Sequence, residues 1–136
     1  MNELNFHNTQ QSAFKAPPPT GILPILEKTK NVYLLWYSYY LILTKTHKYT
    51  LGQKIDNLLL ELIENITIAS FLKKEEKLPY LGKAMQKLDT LKIMLLILWE
   101  TKSLDQKKYL NLSLALNEIG KMLGGWNGQL LKQKLS

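Results

Sequence analysis

The chain has 136 residues and no cysteine, which predicts one domain with a single core and excludes disulfides and thiolate metal sites. Its net charge is +7, carried on the positive side by lysines without any arginine, and this suits either a polyanionic partner or a well-solvated surface. Because lysine lacks the planar fork that reads guanine, binding to nucleic acid would act mainly through phosphates.

The N-terminal segment is polar and then rich in proline, so we predict a flexible arm over residues 1–24 that ends where Pro24 opens the first helix. Helix 1 is predicted over about 25–43 and is apolar on nearly every side. Such a helix is buried on more than one face, which indicates either a subunit contact or a central position in the fold. The candidate interface residues are Tyr33, Trp36 and Tyr40.

A polar, basic loop follows, with Thr50 as a possible cap of helix 2. Apolar residues then recur at steps of three and four in three further stretches, which predicts helix 2 over about 51–72, helix 3 over 79–101 and helix 4 over 106–133. Helices joined by such short connections favour an all-α, antiparallel up-down-up-down four-helix bundle over residues 25–136.

Helix 4 contains an unusual set of glycines, since each glycine costs about 1 kcal/mol in a helix interior relative to alanine. Gly120, Gly124 and Gly128 are spaced four residues apart on the flank of the apolar stripe. A stripe without side chains lets another helix backbone approach closely. That helix is either a neighbour in the same bundle or part of a second subunit. The role of Gly125, on the lysine side, stays open.

The lysines cluster outside helix 2, whose outer side is predicted to be acidic. We therefore expect a basic surface on the loop between helices 1 and 2 and on the outer faces of helices 3 and 4. The candidate nucleic-acid-binding residues are Lys45, Lys48, Lys83, Lys87, Lys107, Lys108, Lys121 and Lys132.

Catalysis finds little support, because the carboxylates are scattered and neither His7 nor His47 has a partner at catalytic or ligand spacing. We predict no enzyme activity, no metal and no cofactor. No apolar run is long enough to span a membrane, and the first residues lack the features of a signal peptide. We therefore expect a cytoplasmic protein without a membrane partner.

Three segments carry a resemblance to a known family: EIGKMLGGW (118–126), LLWYSYYLILTKTHKYTLGQKI (34–55) and LDQKKYLNLS (104–113). Over residues 25–128 the chain resembles the accessory variability determinant (Avd) proteins of diversity-generating retroelements, which are four-helix bundles. The family loop often reads Phe-Pro-Lys followed by a basic pair containing arginine. Here Leu43-Thr44-Lys45 and His47-Lys48 replace it, which puts any arginine-dependent contact in doubt.

The resemblance implies a non-enzymatic protein that forms a homopentamer, binds RNA or DNA, and associates with the reverse transcriptase that copies template RNA into mutagenised cDNA. One alternative is a bundle of the ribosomal RNA intervening-sequence type, in which the lysines only maintain solubility. Another alternative is a protein of the membrane surface. It is weaker because the helix 1 aromatics and the lysines do not segregate onto opposite faces.

Overall fold

A computed structural model describes residues 22–135, and this part of the chain is helical with no strand. Its four long helices are α1 (Ile22–Tyr40), α2 (Gln53–Phe71), α3 (Lys74–Glu100) and α4 (Gln106–Leu135). The first 21 residues of the predicted arm lie outside the described residues. Helix α1 begins at Ile22, three residues before the predicted start.

The core consists of one apolar stripe from each long helix, as the periodicity predicts for α2, α3 and α4. Burying one leucine or isoleucine contributes about 1.5–3 kcal/mol, so the two stripes predicted for α2 and α4 account for much of the packing. Trp126 is partly exposed and packs against the core edge. The other stripe residues are buried: Ile55, Leu59, Leu62, Ile66 and Ala69 in α2, and Leu112, Leu116, Ile119, Leu123 and Leu130 in α4.

Helix α3 begins five residues earlier than predicted, so residues 74–78, which the prediction left between helices 2 and 3, are helical. Glu75 and Glu76 lie in its first turn, where carboxylates interact favourably with the helix dipole. Pro79 is then the sixth residue of the helix, and its missing N–H removes one backbone hydrogen bond near an exposed end. The acidic pair indicates the start of α3 in the sequence, but a proline so close behind it favours a later start.

A buried lysine joins this helix start to the rest of the bundle. Lys77 Nζ donates to the carbonyl oxygens of Ala69, at 2.6 Å, and Ser70, at 3.5 Å, at the end of α2. The same ammonium lies 5.8 Å from the ring centroid of Trp126 in α4. Burial lowers the pKa of Lys77, while the two carbonyls stabilise its charge.

The segment between α1 and α2 is also more ordered than predicted. Lys45–His47 forms one helical turn and Lys48–Gly52 a π-helical turn that leads directly into α2. Thr50 is therefore not the cap of α2; its hydroxyl is 3.5 Å from the His47 carbonyl oxygen. Helical backbone is possible here because buried Gly52 lets the turn approach α1 closely.

We expect Gly52→Ala to lower the free energy of unfolding by about 1–2 kcal/mol, because overpacking outweighs the gain in helix propensity. An added Cβ would lie 3.1 Å from the Leu43 side chain and 3.2 Å from both the His47 carbonyl oxygen and the Tyr40 ring. Urea denaturation followed by circular dichroism measures the change. Gly82→Ala is the matched control, because its Cβ meets no atom within 4 Å; equal stability changes in both variants would contradict the expectation.

The aromatic side of α1 is connected to α2 through Asp56. Trp36 is fully buried, at 0% exposure, and its Nε1 donates to Asp56 Oδ1 at 3.2 Å. Asp56 therefore faces α1 and does not belong to the acidic outer side that was predicted for this helix. Burial, a hydrogen bond to Asp56 and the negative charge of Asp56 together raise the pKa of Tyr33 to about 12.

Tyr33→Phe is expected to reduce the loss of stability at alkaline pH. The folded chain keeps the Tyr33 proton until the pH approaches its pKa of about 12, whereas the ordinary pKa of tyrosine is 10.0. This tyrosine therefore contributes stability that is present below pH 10 and is lost as the pH rises through the folded pKa. Urea midpoints measured across this window should fall less steeply in the variant than in the unmodified chain, and equal slopes would contradict this role of Tyr33.

Candidate nucleic-acid interface

Two connecting segments lie side by side at one end of the bundle: residues 41–52, between α1 and α2, and residues 101–105, between α3 and α4. We call this end, together with the first turn of α4, the basic end. His47 Nδ1 shares a hydrogen bond with Ser103 Oγ, which joins the two segments. Asn111 Nδ2 of α4 donates to the Tyr39 hydroxyl of α1 at 3.3 Å, and this contact fixes the start of α4 against the end of α1.

Four of the eight predicted lysines come together here: Lys45, Lys48, Lys107 and Lys108. Lys45 and Lys107 are exposed. Lys48 Nζ lies 5.3 Å from the Tyr40 ring centroid, and Lys108 Nζ lies 5.8 Å from that of Tyr39. Two neighbouring tyrosines at the end of α1 are thus each approached by a lysine ammonium, one from the first connecting segment and one from the start of α4.

The basic end has little negative charge to oppose these lysines. Asp105 is the one acidic residue of the two connecting segments, and its carboxylate pairs with Lys108 at 2.9 Å. Within residues 22–135 no carboxylate is within ion-pair distance of Lys45, Lys48 or Lys107. Glu100 ends α3 just before the second segment. The result is a local excess of positive charge that can bind an anion.

Asp105 also organises the start of α4. Its Oδ1 accepts the backbone N–H of Lys108 at 2.9 Å, as an N-cap side chain does. Hydrogen bonds from the N–H and the ammonium group of Lys108 lower the pKa of Asp105. This cap places Lys107 and Lys108 in the first helical turn, where lysine is otherwise disfavoured by the helix dipole.

The remaining predicted lysines do not join this cluster. Lys83 Nζ lies 4.7 Å from the Tyr80 ring centroid on α3, and Lys87 pairs with Glu61 at 3.4 Å. Lys121 lies on a groove between α3 and α4 that Asp89 also lines. Lys132 is in the last turn of α4. Four of the eight predicted lysines therefore lie at the basic end, and the other four lie elsewhere on α3 and α4.

One residue of the basic end was missing from the sequence prediction. Lys102 follows α3 with a positive φ of 67°, the left-handed conformation that glycine usually occupies after a helix. Its N–H bonds to the Trp99 carbonyl at 2.8 Å, and the N–H of Ser103 bonds to Leu98 O at 3.1 Å, which completes a Schellman motif. The signal in the sequence was the absence of glycine from this connection, because another residue must then adopt the left-handed conformation after α3.

The glycine stripe is mostly open in the single chain. A Cβ on Gly120 would lie 3.3 Å from Leu88 Cδ2 and 3.7 Å from Lys92 Nζ, but one on Gly124 or Gly128 would meet no atom within 4 Å. Close packing within the bundle therefore accounts for Gly120 alone. Gly125 is equally open.

The three predicted interface aromatics lie mainly against the core. Trp36 is fully buried, so its packing is within the chain, and Tyr33 and Tyr40 are partly buried against the same core. The exposed apolar side of α1 is instead a strip of Leu34 and Tyr37 that continues at helical spacing into Leu41, the first residue after the helix. An uncovered apolar strip of this kind is typical of a protein contact surface.

No group of three or more His, Asp or Glu side chains in residues 22–135 is placed to hold a metal ion. In the same part of the chain, no helix is long and apolar enough to cross a membrane.

The chain is similar to a known protein family. The model of a family described as bAvd-like matches residues 24–130. This range includes α2, α3 and the basic end, nearly all of α1, and α4 up to residue 130. No curated protein and no solved structure matches the chain at a significant level.

Proposed function

The chain belongs to the bAvd-like family, and on that premise we propose that it is a non-enzymatic accessory protein of a diversity-generating retroelement. In this role it binds template RNA or its cDNA and associates with the element's reverse transcriptase. The observation that carries the nucleic-acid part of the proposal is the basic end, where Lys45, Lys48 and Lys107 have no carboxylate partner in the described part of the chain.

The proposal includes an antiparallel, up-down-up-down arrangement of the four helices. Contacts between α1 and α4 support it, because Lys28 pairs with Glu118 at 3.3 Å whereas Tyr39, further along α1, contacts Asn111. Residue numbers rise on one helix as they fall on the other. Between α2 and α3, Glu61 pairs with Lys87 and the Ala69 carbonyl accepts from Lys77. These two helices are therefore antiparallel as well.

Assembly into a homo-oligomer, a pentamer by the family resemblance, is the second part of the proposal. Two uncovered surfaces support it: the strip of Leu34, Tyr37 and Leu41 on α1, and the open backbone at Gly124 and Gly128 on α4. Symmetry would repeat the basic end in every subunit. Several weak phosphate contacts would then act together, since linked sites bind far more tightly than one alone.

Size exclusion with light scattering, performed with and without a structured RNA at low and moderate salt, tests the proposal. We expect an oligomer that binds the RNA and releases it as the salt concentration rises. A monomer without affinity for RNA or DNA at low salt would contradict the function. It would favour the alternative of a bundle whose lysines only maintain solubility.

A charge-matched pair of triple variants locates the binding surface. Replacing Lys45, Lys48 and Lys107 with glutamine should weaken RNA binding and reduce the slope of log affinity against log salt by about 0.9 for each lost duplex phosphate contact. The control replaces three lysines outside the basic end, Lys73, Lys74 and Lys134, all exposed, and changes the net charge equally. Equal losses in both variants would show that binding depends on the overall charge rather than on the basic end.

Pull-down of the reverse transcriptase by the same variants tests whether its contact with the chain is separate from the RNA-binding surface.

A further inference from the structure

The basic end contains an aromatic side chain that the core does not use. Tyr49 lies in the π-helical turn Lys48–Gly52 and is 65% exposed. Lys48 Nζ is 6.0 Å from the centroid of its ring and 5.3 Å from that of Tyr40. An exposed ring beside a lysine ammonium combines the two features that bind a single strand: a flat surface for a base and a positive charge for its phosphate.

The second observation is the backbone of Lys102. A lysine at a φ of 67° is less stable than a glycine would be at the same position of a Schellman motif. Strain of this kind is concentrated at functional sites. The side chain of Lys102 is exposed, and its neighbour Ser103 is joined to His47 by a hydrogen bond, two residues from Tyr49. Its charge therefore belongs to the same end of the bundle.

We propose that the basic end is a binding site for an unpaired nucleotide strand, in which a base stacks on Tyr49 and the adjacent phosphates contact Lys45, Lys48 and Lys102. This inference rests on the proposed function and adds the class of ligand and the stacking residue. A duplex cannot use the site fully, because its base faces are covered by neighbouring bases, whereas an unstacked base can lie flat on an aromatic ring.

An anionic membrane is the competing ligand, since Leu41 and Ile42 are also exposed near this end. Leu41, however, continues the α1 strip of Leu34 and Tyr37, which the proposed assembly covers. The cation beside the Tyr49 ring favours the nucleotide strand. Vesicles are therefore included in the experiment as an outcome that would overturn the proposal.

The test measures fluorescence anisotropy with labelled oligouridine, oligothymidine and a duplex of equal length. The unmodified chain should bind the single strands more tightly than the duplex. Tyr49→Ala should weaken single-strand binding about tenfold, as expected for the loss of one stacked base, with little change for the duplex. Tyr49→Phe is the matched control and should retain the preference, because phenylalanine keeps the ring.

Lys102→Gly separates function from stability. We expect a higher melting temperature, since glycine relieves the backbone conformation, together with a salt slope for single strands reduced by about 0.7. A variant with a higher melting temperature and unchanged binding would remove Lys102 from the site. A variant that loses both stability and binding would do the same.

The outcomes distinguish the inference from the function on which it rests. Equal binding of single strands and duplex, unchanged in Tyr49→Ala, would overturn the stacking site and leave the nucleic-acid function standing. No binding of any oligonucleotide by the unmodified chain would overturn both. Preferential binding to vesicles containing phosphatidylserine, lost in Tyr49→Ala, would assign the basic end to a membrane surface instead.

Discussion

Replacing Trp36 with alanine is expected to lower the free energy of unfolding by about 3–5 kcal/mol. Its side chain is fully buried and packs against Tyr40 with ring centroids 5.8 Å apart, so truncation leaves a cavity that its neighbours cannot fill. The indole hydrogen bond to Asp56 is lost at the same time. A domain of this kind has a total stability of about 5–15 kcal/mol, and the variant would lose a large share of it.

Urea denaturation followed by circular dichroism measures this loss, and two further variants separate its causes. Trp36→Phe keeps most of the apolar volume but not the N–H group, so the hydrogen bond alone should account for about 1 kcal/mol. Trp99→Ala is the control for losing an indole outside the core. Trp99 is only partly buried and stacks on Tyr109 at 5.0 Å, and its loss should be smaller. If Trp99→Ala were the more destabilising change, the assignment of Trp36 as the central core residue would be wrong.

The apolar periodicity of the sequence was sufficient to predict which faces form the core. Leu112, Leu116, Ile119 and Leu123 repeat at steps of four and three and are all buried. Burial of this stripe depends only on the helical period, which is a local property of the chain. The same reasoning could not decide the role of Trp36, because a helix that is apolar on nearly every side offers several faces to the core.

Helix ends were harder to predict because local signals compete. Helix 3 was predicted to begin at residue 79, yet Glu75 and Glu76 stabilise a start five residues earlier. Thr50 had the residue type and spacing of a cap, yet the close approach of Gly52 to Leu43 and Tyr40 continues the helical turn through it. The second case depends on a contact between two segments, which no local pattern contains.

The candidate site shows the same division between local and long-range information. Sequence alone gave Lys45, Lys48, Lys107 and Lys108 as separate members of a wider basic surface. Bringing the first pair beside the second requires the contact between His47 and Ser103, which spans more than fifty residues. Lys102 was missed for a related reason, because its positive φ follows from how α3 ends rather than from the residue type.

A leucine at Gly124 is expected to dissociate the proposed oligomer without unfolding the chain. In the single chain a Cβ at this position meets no atom within 4 Å, so a larger side chain projects into open space. Leucine also has a helix propensity higher than that of glycine by about 0.8 kcal/mol. In the assembly, the backbone of a neighbouring subunit would lie against this stripe, and the added side chain would keep it away. Light scattering should therefore give the mass of one chain, while the melting temperature of the dissociated chain is unchanged or higher.

Gly125→Leu is the matched control, because this glycine is equally open and belongs to the same helix but lies on its lysine side. Its gain in helix propensity is the same, so any difference in mass between the two variants comes from the face that is blocked. Dissociation by the Gly125 variant alone would move the subunit contact to the lysine side. That result would also explain why Gly125 is a glycine although it lies outside the stripe. The subunit contact would then lie close to Lys121 instead of on the flank of the core. If neither variant changes the mass, the open glycines are not part of the contact, and the exposed strip of Leu34, Tyr37 and Leu41 on α1 becomes the surface on which assembly depends.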